Sequence, residues 1–212
     1  MLKKDKNSDI YNYSSYNKKV DGGDEPMIIP TTIPMSRGVS TLFNNIYFYD
    51  DINMDSCLSF NRELKKLYTD ILHTNISYGC DIHINLYINT LGGEIFSTMS
   101  MVDAMRVSPV PIHTIIDGIA ASGGSIMSIH GNKRFITKNS YILIHQLSTF
   151  NYGTYEAAKD DMHNNDKFMM QIKNMYKKKS KMSMKQINEI LKHDLYLNAD
   201  EALELGLVDE II

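Results

Sequence analysis

The chain has 212 residues, of which 43% are hydrophobic and 22% are charged, and its formal net charge is -3. This length is enough for one domain, or two at most, with a sizeable core. The mean hydropathy of -0.27 and the lack of an apolar run of about 20 residues argue against a transmembrane helix and a membrane partner. The nearly balanced charge argues against a nucleic-acid partner, because nucleic-acid binding usually needs a basic face.

Residues 1–25 are predicted to be a flexible polar tail, because they contain almost no aliphatic side chains to offset the entropy cost of folding. This stretch lacks the apolar core of a signal peptide, and it is too acidic and too poor in arginine for a typical transit peptide. Cys57 and Cys80 fit neither a disulfide framework nor a Cys-x-x-Cys pair, which favours a reducing compartment. We therefore expect a cytoplasmic protein with one folded domain over residues 26–212.

Beyond the tail, strand-like and helix-like patterns alternate along the chain. Short runs of β-branched and aromatic residues predict strands at 46–49, 82–89, 111–117, 134–137 and 141–144. Helical patterns predict helices at 55–74, 93–105 and 154–179, with a short helix after the small-residue run at 118–125, and two further segments follow at 184–191 and 199–212. This alternation is typical of an α/β fold in which helices cover a parallel sheet.

Two glycine-rich turns, at residues 89–93 and 117–124, each follow a predicted strand and precede a predicted helix. Free N–H groups at a helix start attract negative charge, and glycine lets a ligand approach them closely. Neither turn has the phosphate-binding pattern of a dinucleotide fold or a P-loop, so the anion could be a phosphate or a tetrahedral oxyanion. Ser122 stands at the start of the second helix, with its hydroxyl beside these donors. Both turns could also be tight turns that simply need small residues.

His145 differs from the other histidines because it ends an apolar strand, at the sheet edge where open α/β folds bind ligands. No histidine pair has metal-ligand spacing with a third ligand, so the sequence predicts no metal site. Asp194 lies between His193 and an apolar run. Taken singly, His145 could be a structural histidine and Asp194 an ordinary turn carboxylate.

Several segments together resemble the Clp protease proteolytic subunit (ClpP) family, in the order that the family has them. They are the turn at 87–93, Gly118-Ile-Ala-Ala-Ser-Gly-Gly124, the run at 133–135, Asn139-Ser-Tyr-Ile-Leu-Ile-His-Gln146 and the segments at 193–202 and 206–209. The resemblance runs from about residue 42 to residue 212. It implies a ClpP/crotonase-like spiral of β-β-α units with a protruding long helix. It also implies a serine endopeptidase that cleaves unfolded proteins and peptides without a cofactor.

The resemblance assigns roles to individual residues. Ser122 matches the nucleophile, His145 the general base and Asp194 the carboxylate that orients the imidazole. The backbone N–H groups of Gly93 and Gly123 match the oxyanion donors. An extended substrate is expected against two segments, formed by Gly92, Glu94 and Ile95 and by Gln146, Leu147 and Ser148.

Some positions depart from the family pattern. The interval from Ser122 to His145 is two residues short, and the turn at 131–132 can absorb such a deletion. Leu91 stands where the family usually has proline, and Gly123 stands where many members have methionine. Residues 147–150 replace an expected Pro and Gly-Gly, which predicts altered subsite preferences.

The resemblance also implies a homo-oligomer of two stacked rings, usually heptameric, so a tetradecamer is expected. The segment at 154–179 matches the helix that mediates ring stacking. Its apolar residues fall on one stripe, which predicts an interface between rings rather than packing on its own domain. The stripe consists of Tyr155, Ala158, Met162, Met169, Ile172 and Tyr176.

A ring-shaped AAA+ unfoldase is the partner that the family implies, and it docks into apolar clefts. Four positions keep that apolar character, namely Tyr87, Ile115, Phe135 and Ile212. Asn85 and Asp117 place polar groups where the family is usually aromatic or aliphatic, and an unpaired Asp117 is costly to bury. Together with the uncharged stretch at 26–34, they predict weak coupling to a standard bacterial unfoldase.

Three other functions remain possible at this point. They are a crotonase-like acyl-CoA enzyme, a regulatory ring subunit with an altered site, and a peptidase with a Ser/Lys dyad. The complete set of Ser122, His145 and Asp194 disfavours the first two. The third is disfavoured by the well-placed His145 and by the lack of a membrane segment.

Overall fold

The structure is a computed structural model that describes residues 38–149 and 153–212. The predicted tail and the boundary at residue 26 lie outside the described residues. Eight strands run through the described part: β1 (Gly38–Leu42), β2 (Asn45–Tyr49), β3 (Ile84–Thr90), β4 (Ile112–Ala121), β5 (Lys133–Ile136), β6 (Tyr141–Leu143), β7 (Tyr196–Leu197) and β8 (Glu210–Ile211). Six helices accompany them: α1 (Met54–Tyr78), α2 (Ile95–Arg106), α3 (Gly123–Ser128), α4 (Tyr155–Lys179), α5 (Met184–Ile190) and α6 (Ala199–Glu204).

The strands form one sheet in the order β1-β2-β3-β4-β5-β8, and β6 and β7 extend from β4. The pairs β2–β3, β3–β4, β4–β5, β5–β8 and β4–β6 are parallel, whereas β1 pairs antiparallel with β2 and β7 pairs antiparallel with β6. The first half of β4 pairs with β5 and its second half pairs with β6. Between the two halves lies Gly118, with φ 105°, where a Cβ would lie 2.8 Å from the Asn89 side-chain nitrogen. The mixed α/β prediction is confirmed.

The core lies on one face of the sheet. In β3, Ile84, Leu86 and Ile88 are fully buried, and the residues between them are half-buried, as expected for a period of two. Phe48 of β2 meets Phe60 of α1 edge to face, with ring centroids 6.0 Å apart. Helices therefore cover the buried face of the sheet. The sequence had predicted helices over the sheet without specifying which face they cover.

The opposite face of the sheet is half-exposed and carries polar and aromatic side chains. Asn85 donates a hydrogen bond to the Asn45 side chain at 2.9 Å, because the two residues are cross-strand partners. The Tyr49 hydroxyl donates to the Asp117 carboxylate. Burial raises the pKa of Tyr49, and its bond to Asp117 raises that pKa further. The expectation that Asp117 is unpaired is therefore wrong.

The long helix α4 is buried only near its C-terminal end. Ile172 and Tyr176 are 6% and 2% exposed, and they pack into the domain's own core. Tyr155 and Met162, in the first half of the same stripe, are 74% and 69% exposed. The prediction that the whole stripe lies between rings is thus wrong for Ile172 and Tyr176. None of the helices in residues 38–149 and 153–212 has the length and apolar character needed to cross a membrane.

Candidate active site

Ser122, the predicted nucleophile, occupies a sharp turn between β4 and α3. Its backbone has φ 52° and ψ -118°, a conformation that L residues rarely adopt. Its N–H donates to the Leu143 carbonyl at 2.9 Å, and its carbonyl accepts from the N–H groups of Ser125 and Ile126 at 3.0 and 3.2 Å. A strained strand-to-helix turn of this kind holds the backbone fixed and presents the serine hydroxyl.

The glycine turn after β3 packs directly against Ser122. A Cβ on Gly92 would lie 2.7 Å from the Ser122 Cβ, and a Cβ on Gly93 would lie 2.0 Å from the Ile52 carbonyl oxygen. Only glycine fits at either position. Within the part of the chain that the structure describes, the N–H groups of Gly93 and Gly123 donate no hydrogen bond. Two unoccupied donors therefore lie beside the serine, as an oxyanion site requires.

His145 follows β6 and lies close to Asp194. The His145 Nδ1 atom is 3.9 Å from an Asp194 carboxylate oxygen, which is an ion-pair distance and too long for a hydrogen bond. The His145 side chain is 22% exposed and that of Asp194 is 82% exposed. No hydrogen bond joins His145 to Ser122 among the described residues, although both line one cavity. Catalytic hydrogen bonds are often long without substrate and tighten when it binds.

That cavity has a volume of about 260 Å³. Eight of the predicted site residues line it: Gly93, Ile95, Ser122, Gly123, His145, Gln146, Leu147 and Ser148. Gly92 and Glu94 are not among the lining residues: Gly92 packs against Ser122, and the Glu94 carboxylate accepts a hydrogen bond from the Ser97 hydroxyl at 2.8 Å. Within residues 38–149 and 153–212, no three His, Cys, Asp or Glu side chains gather as a metal site.

Sequence reasoning missed five residues that also line the cavity, namely Leu91, Thr98, Ile126, Ile172 and Tyr176. Ile172 and Tyr176 did carry a signal, because both belong to the apolar stripe of α4 that was assigned to the ring interface. Thr98 had no sequence signal. Its side chain lies where a Cβ on Gly123 would fall, 2.3 Å from Thr98 Oγ1, and only the packing of α2 against α3 creates that contact.

The expected substrate segment after His145 is already engaged within the chain. The Gln146 N–H donates to the Leu191 carbonyl at 3.0 Å, and the Leu147 N–H donates to the Met169 sulfur at 3.2 Å. These two donors are therefore not free to pair with a substrate strand in this conformation. A substrate strand could pair with the backbone carbonyl groups of this segment, or the segment could shift and release its N–H groups.

The sequence that builds this site is similar to known proteins. A model of the Clp protease family matches residues 50–212, more than three quarters of the chain. The chain belongs to the Clp protease family. The family predicted from the motifs around Ser122 and His145 is thereby confirmed.

Two relatives of this Clp protease family chain are both named ATP-dependent Clp protease proteolytic subunit. The protein of Deinococcus radiodurans is 30% identical over 135 residues, which cover 61% of this chain and 64% of the relative. The protein of Streptococcus sanguinis is 34% identical over 136 residues, which cover 61% of this chain and 68% of the relative. The similarity to the first relative thus spans less than two thirds of its length.

Proposed function

We propose that this chain is a serine endopeptidase of the Clp type, which hydrolyses peptide bonds of unfolded proteins and short peptides. Ser122 would be its nucleophile, His145 its general base and Asp194 the carboxylate that orients His145. The observation that carries the proposal is the strained turn of Ser122, which borders one cavity with His145 and with the unoccupied N–H groups of Gly93 and Gly123.

The proposed reaction begins with transfer of the Ser122 hydroxyl proton to His145. The Nδ1 atom of His145 faces Asp194, which leaves Nε2 as the nitrogen that accepts the proton. The serine oxygen attacks the peptide carbonyl, and the oxyanion that forms accepts hydrogen bonds from Gly93 and Gly123. Each such donor contributes about 3 kcal/mol in comparable enzymes. His145 then protonates the leaving amine, and water hydrolyses the acyl-enzyme.

The cavity supports an extended peptide with an apolar side chain next to the cleaved bond. Leu147, Ile126 and Ile172 supply apolar walls, and burial of an apolar side chain against such walls is favourable. The remaining substrate would pair with the segments around Ile95 and Ser148 by strand addition.

We infer that the chain works as stacked rings with a ring-shaped AAA+ unfoldase, in the cytoplasm. Family membership supports the ring assembly and an ATPase partner. The exposed first half of α4 offers apolar surface for such an assembly at Tyr155 and Met162. The unpaired thiols of Cys57 and Cys80 are compatible with a reducing compartment.

Labelling with a fluorophosphonate tests the nucleophile. The wild-type protein should cleave a short fluorogenic peptide and carry one adduct on Ser122, and Ser122→Ala should lose both properties. Ser125 is an internal reference, because its hydroxyl lies three residues away but is fully buried. An adduct on Ser125, located by mass spectrometry, contradicts the assignment. A folded wild-type protein that is neither labelled nor active indicates a regulatory ring subunit instead.

A further inference from the structure

A buried chain of hydrogen bonds connects α4 to the backbone of Ser122. The Tyr176 hydroxyl lies 2.6 Å from Ser125 Oγ, and Ser125 Oγ lies 2.6 Å from the Ser122 carbonyl oxygen. Tyr176 is 2% exposed and Ser125 is 0% exposed. Both hydroxyl groups are thus shielded from bulk solvent, and each of these bonds is costly to leave unmade.

The direction of these bonds follows from the available protons. The Ser122 carbonyl can only accept, so the single hydroxyl proton of Ser125 is donated to it. The Tyr176 hydroxyl must then donate to Ser125. Burial raises the pKa of Tyr176, so the phenol keeps the proton that it donates to Ser125.

The hydrogen bond from the Ser125 hydroxyl to the Ser122 carbonyl is additional to the backbone hydrogen bonds of an ordinary helix start. Backbone N–H groups of Ser125 and Ile126 already bind the Ser122 carbonyl, as they would at the start of any helix. The Ser125 hydroxyl gives that carbonyl a third donor. Tyr176 fixes the orientation of this hydroxyl, and the carbonyl in turn belongs to the residue with the strained backbone.

We propose that Tyr176 is a positioning residue, which acts through Ser125 to hold the Ser122 turn in its strained conformation. The inference rests on the proposed function, since it takes Ser122 to be the nucleophile. Tyr176 also borders the cavity, but its hydroxyl is bound to Ser125 and is not offered to a substrate. The residue therefore controls the reactivity of Ser122 and contributes little to substrate affinity.

Tyr176→Phe tests the proposal because it keeps the ring and removes only the donor. At a temperature where all variants are folded, the rate of fluorophosphonate labelling of Ser122 and kcat should both fall about tenfold, while KM stays at the wild-type value. Ser125→Ala should lower both rates at least as much. The double variant, Tyr176→Phe with Ser125→Ala, should react no more slowly than Ser125→Ala alone. The reason is that loss of the Ser125 hydroxyl already removes the hydrogen-bond link between Tyr176 and Ser122.

Ser128→Ala is the matched control. Ser128 is a buried serine of the same helix, and its hydroxyl donates to the Ser125 carbonyl at 2.9 Å without reaching Ser122. The Ser128→Ala variant should be labelled on Ser122 at the wild-type rate. Wild-type labelling of Tyr176→Phe, or equal slowing in Ser128→Ala, overturns the proposal.

A second measurement separates this proposal from the proposed function. If the wild-type protein is not labelled at all, the proposed function fails, and hydrogen–deuterium exchange of residues 119–126 decides the inference alone. Faster exchange in Tyr176→Phe than in wild type and Ser128→Ala supports it. Unchanged exchange in Tyr176→Phe overturns it.

Discussion

The position of Ser122 relative to His145 depends on one strand pair. Ala121 is the register partner of Leu143, and the next backbone bond runs from the Ser122 N–H to the Leu143 carbonyl. His145 lies two residues after Leu143, just beyond the end of β6. The backbone of Ser122 costs about 1–3 kcal/mol in strain, and the hydrogen bonds at both its N–H and its carbonyl offset that cost.

Asp194→Asn should leave the fold intact and lower kcat strongly. An amide can hold the imidazole in the wrong tautomer and cannot stabilise its cation, and the corresponding loss in a trypsin-type triad is about 10⁴-fold. The measurement is kcat on a fluorogenic peptide. Because Asp194 is highly exposed, the change itself should cost little stability.

Asp200→Asn is the control for that variant, since it changes an exposed carboxylate six residues away, in the first turn of α6. It should retain wild-type kcat. Near-normal turnover of Asp194→Asn would indicate that the site works as a Ser/His pair or uses another carboxylate.

At the scale of elements, Arg134 ties β5 to the C-terminal end of the chain. Its Nε and backbone N–H donate to the Asp209 carboxylate at 3.1 and 2.9 Å, and its guanidinium also donates to the Gly206 carbonyl at 2.9 Å. Two donors to one carboxylate fix geometry better than a single point charge does. This contact explains how β8, only two residues long, keeps its place beside β5.

Hydrogen bonds from Arg134 hold the pKa of Asp209 below its ordinary value of 3.8. A carboxyl group with a lowered pKa stabilises the fold above its unfolded-state pKa, and this stabilisation is lost as the pH falls through the folded-state pKa. Asp209→Asn should therefore lower the free energy of unfolding at pH 7, by only about 1 kcal/mol because the carboxylate is partly exposed.

Urea unfolding at pH 7 and at pH 3 measures this effect. The difference between wild type and Asp209→Asn should shrink at pH 3, because this pH lies below the ordinary pKa of 3.8, where the unfolded-state carboxyl is largely protonated and the stabilisation declines. Glu210→Gln changes the exposed neighbour and should have little effect at either pH. A difference that grows as the pH falls would contradict the assigned role of Arg134.

At the scale of the whole molecule, the exposed half of α4 is the surface on which assembly is expected to depend. Wild-type protein should scatter light as a complex far larger than its 24.2 kDa subunit. Met162→Asp should split that complex into smaller rings with lower activity, because a carboxylate without a partner is costly to bury in an apolar contact. Ile172→Asp should instead unfold the subunit, since Ile172 lies in its own core.

Asn164→Asp controls for the added charge, because residue 164 is exposed and lies about 200° around the helix from Met162. It should assemble like wild type. A wild-type monomer with full peptidase activity at micromolar concentration would refute the ring prediction.

The polar pairs on the half-exposed sheet face bear on the unfoldase. Asp117 is bound by Tyr49 and Asn85 by Asn45, so covering them costs less than covering unpaired groups. An aliphatic docking loop would still strip water from a carboxylate without giving it a new partner. We therefore keep the prediction of weak coupling to a standard bacterial unfoldase, with dependence on a dedicated partner or other ring subunits.

Short peptides should be cleaved without ATP, whereas a folded tagged protein should survive with a bacterial unfoldase and ATP. The same unfoldase with its own proteolytic subunit serves as the positive control. Rapid ATP-driven degradation by this chain would show that Asn85 and Asp117 are tolerated at the docking face.

The sequence by itself predicted the strands β2 to β6 and the helices α1 to α4 within a few residues. Their signals are local: apolar periodicity and glycine punctuation act over one or two turns of chain. Motif order around Ser122 and His145 also sufficed to predict the family. The strand β1 was missed because the run Gly38-Val-Ser-Thr-Leu42 has little apolar character and is specified by its pairing with β2.

Only the tertiary structure decided which apolar side chains face the domain's own core. The stripe of α4 reads as continuous in sequence, yet Tyr176 lies beside Ser125, 51 residues earlier in the chain, while Met162 remains exposed. Tertiary packing likewise decided which residues bind Asp117 and Asn85. It also decided that Thr98 lies against Gly123. Contacts between residues far apart in sequence depend on strand order and helix packing, and no local pattern encodes them.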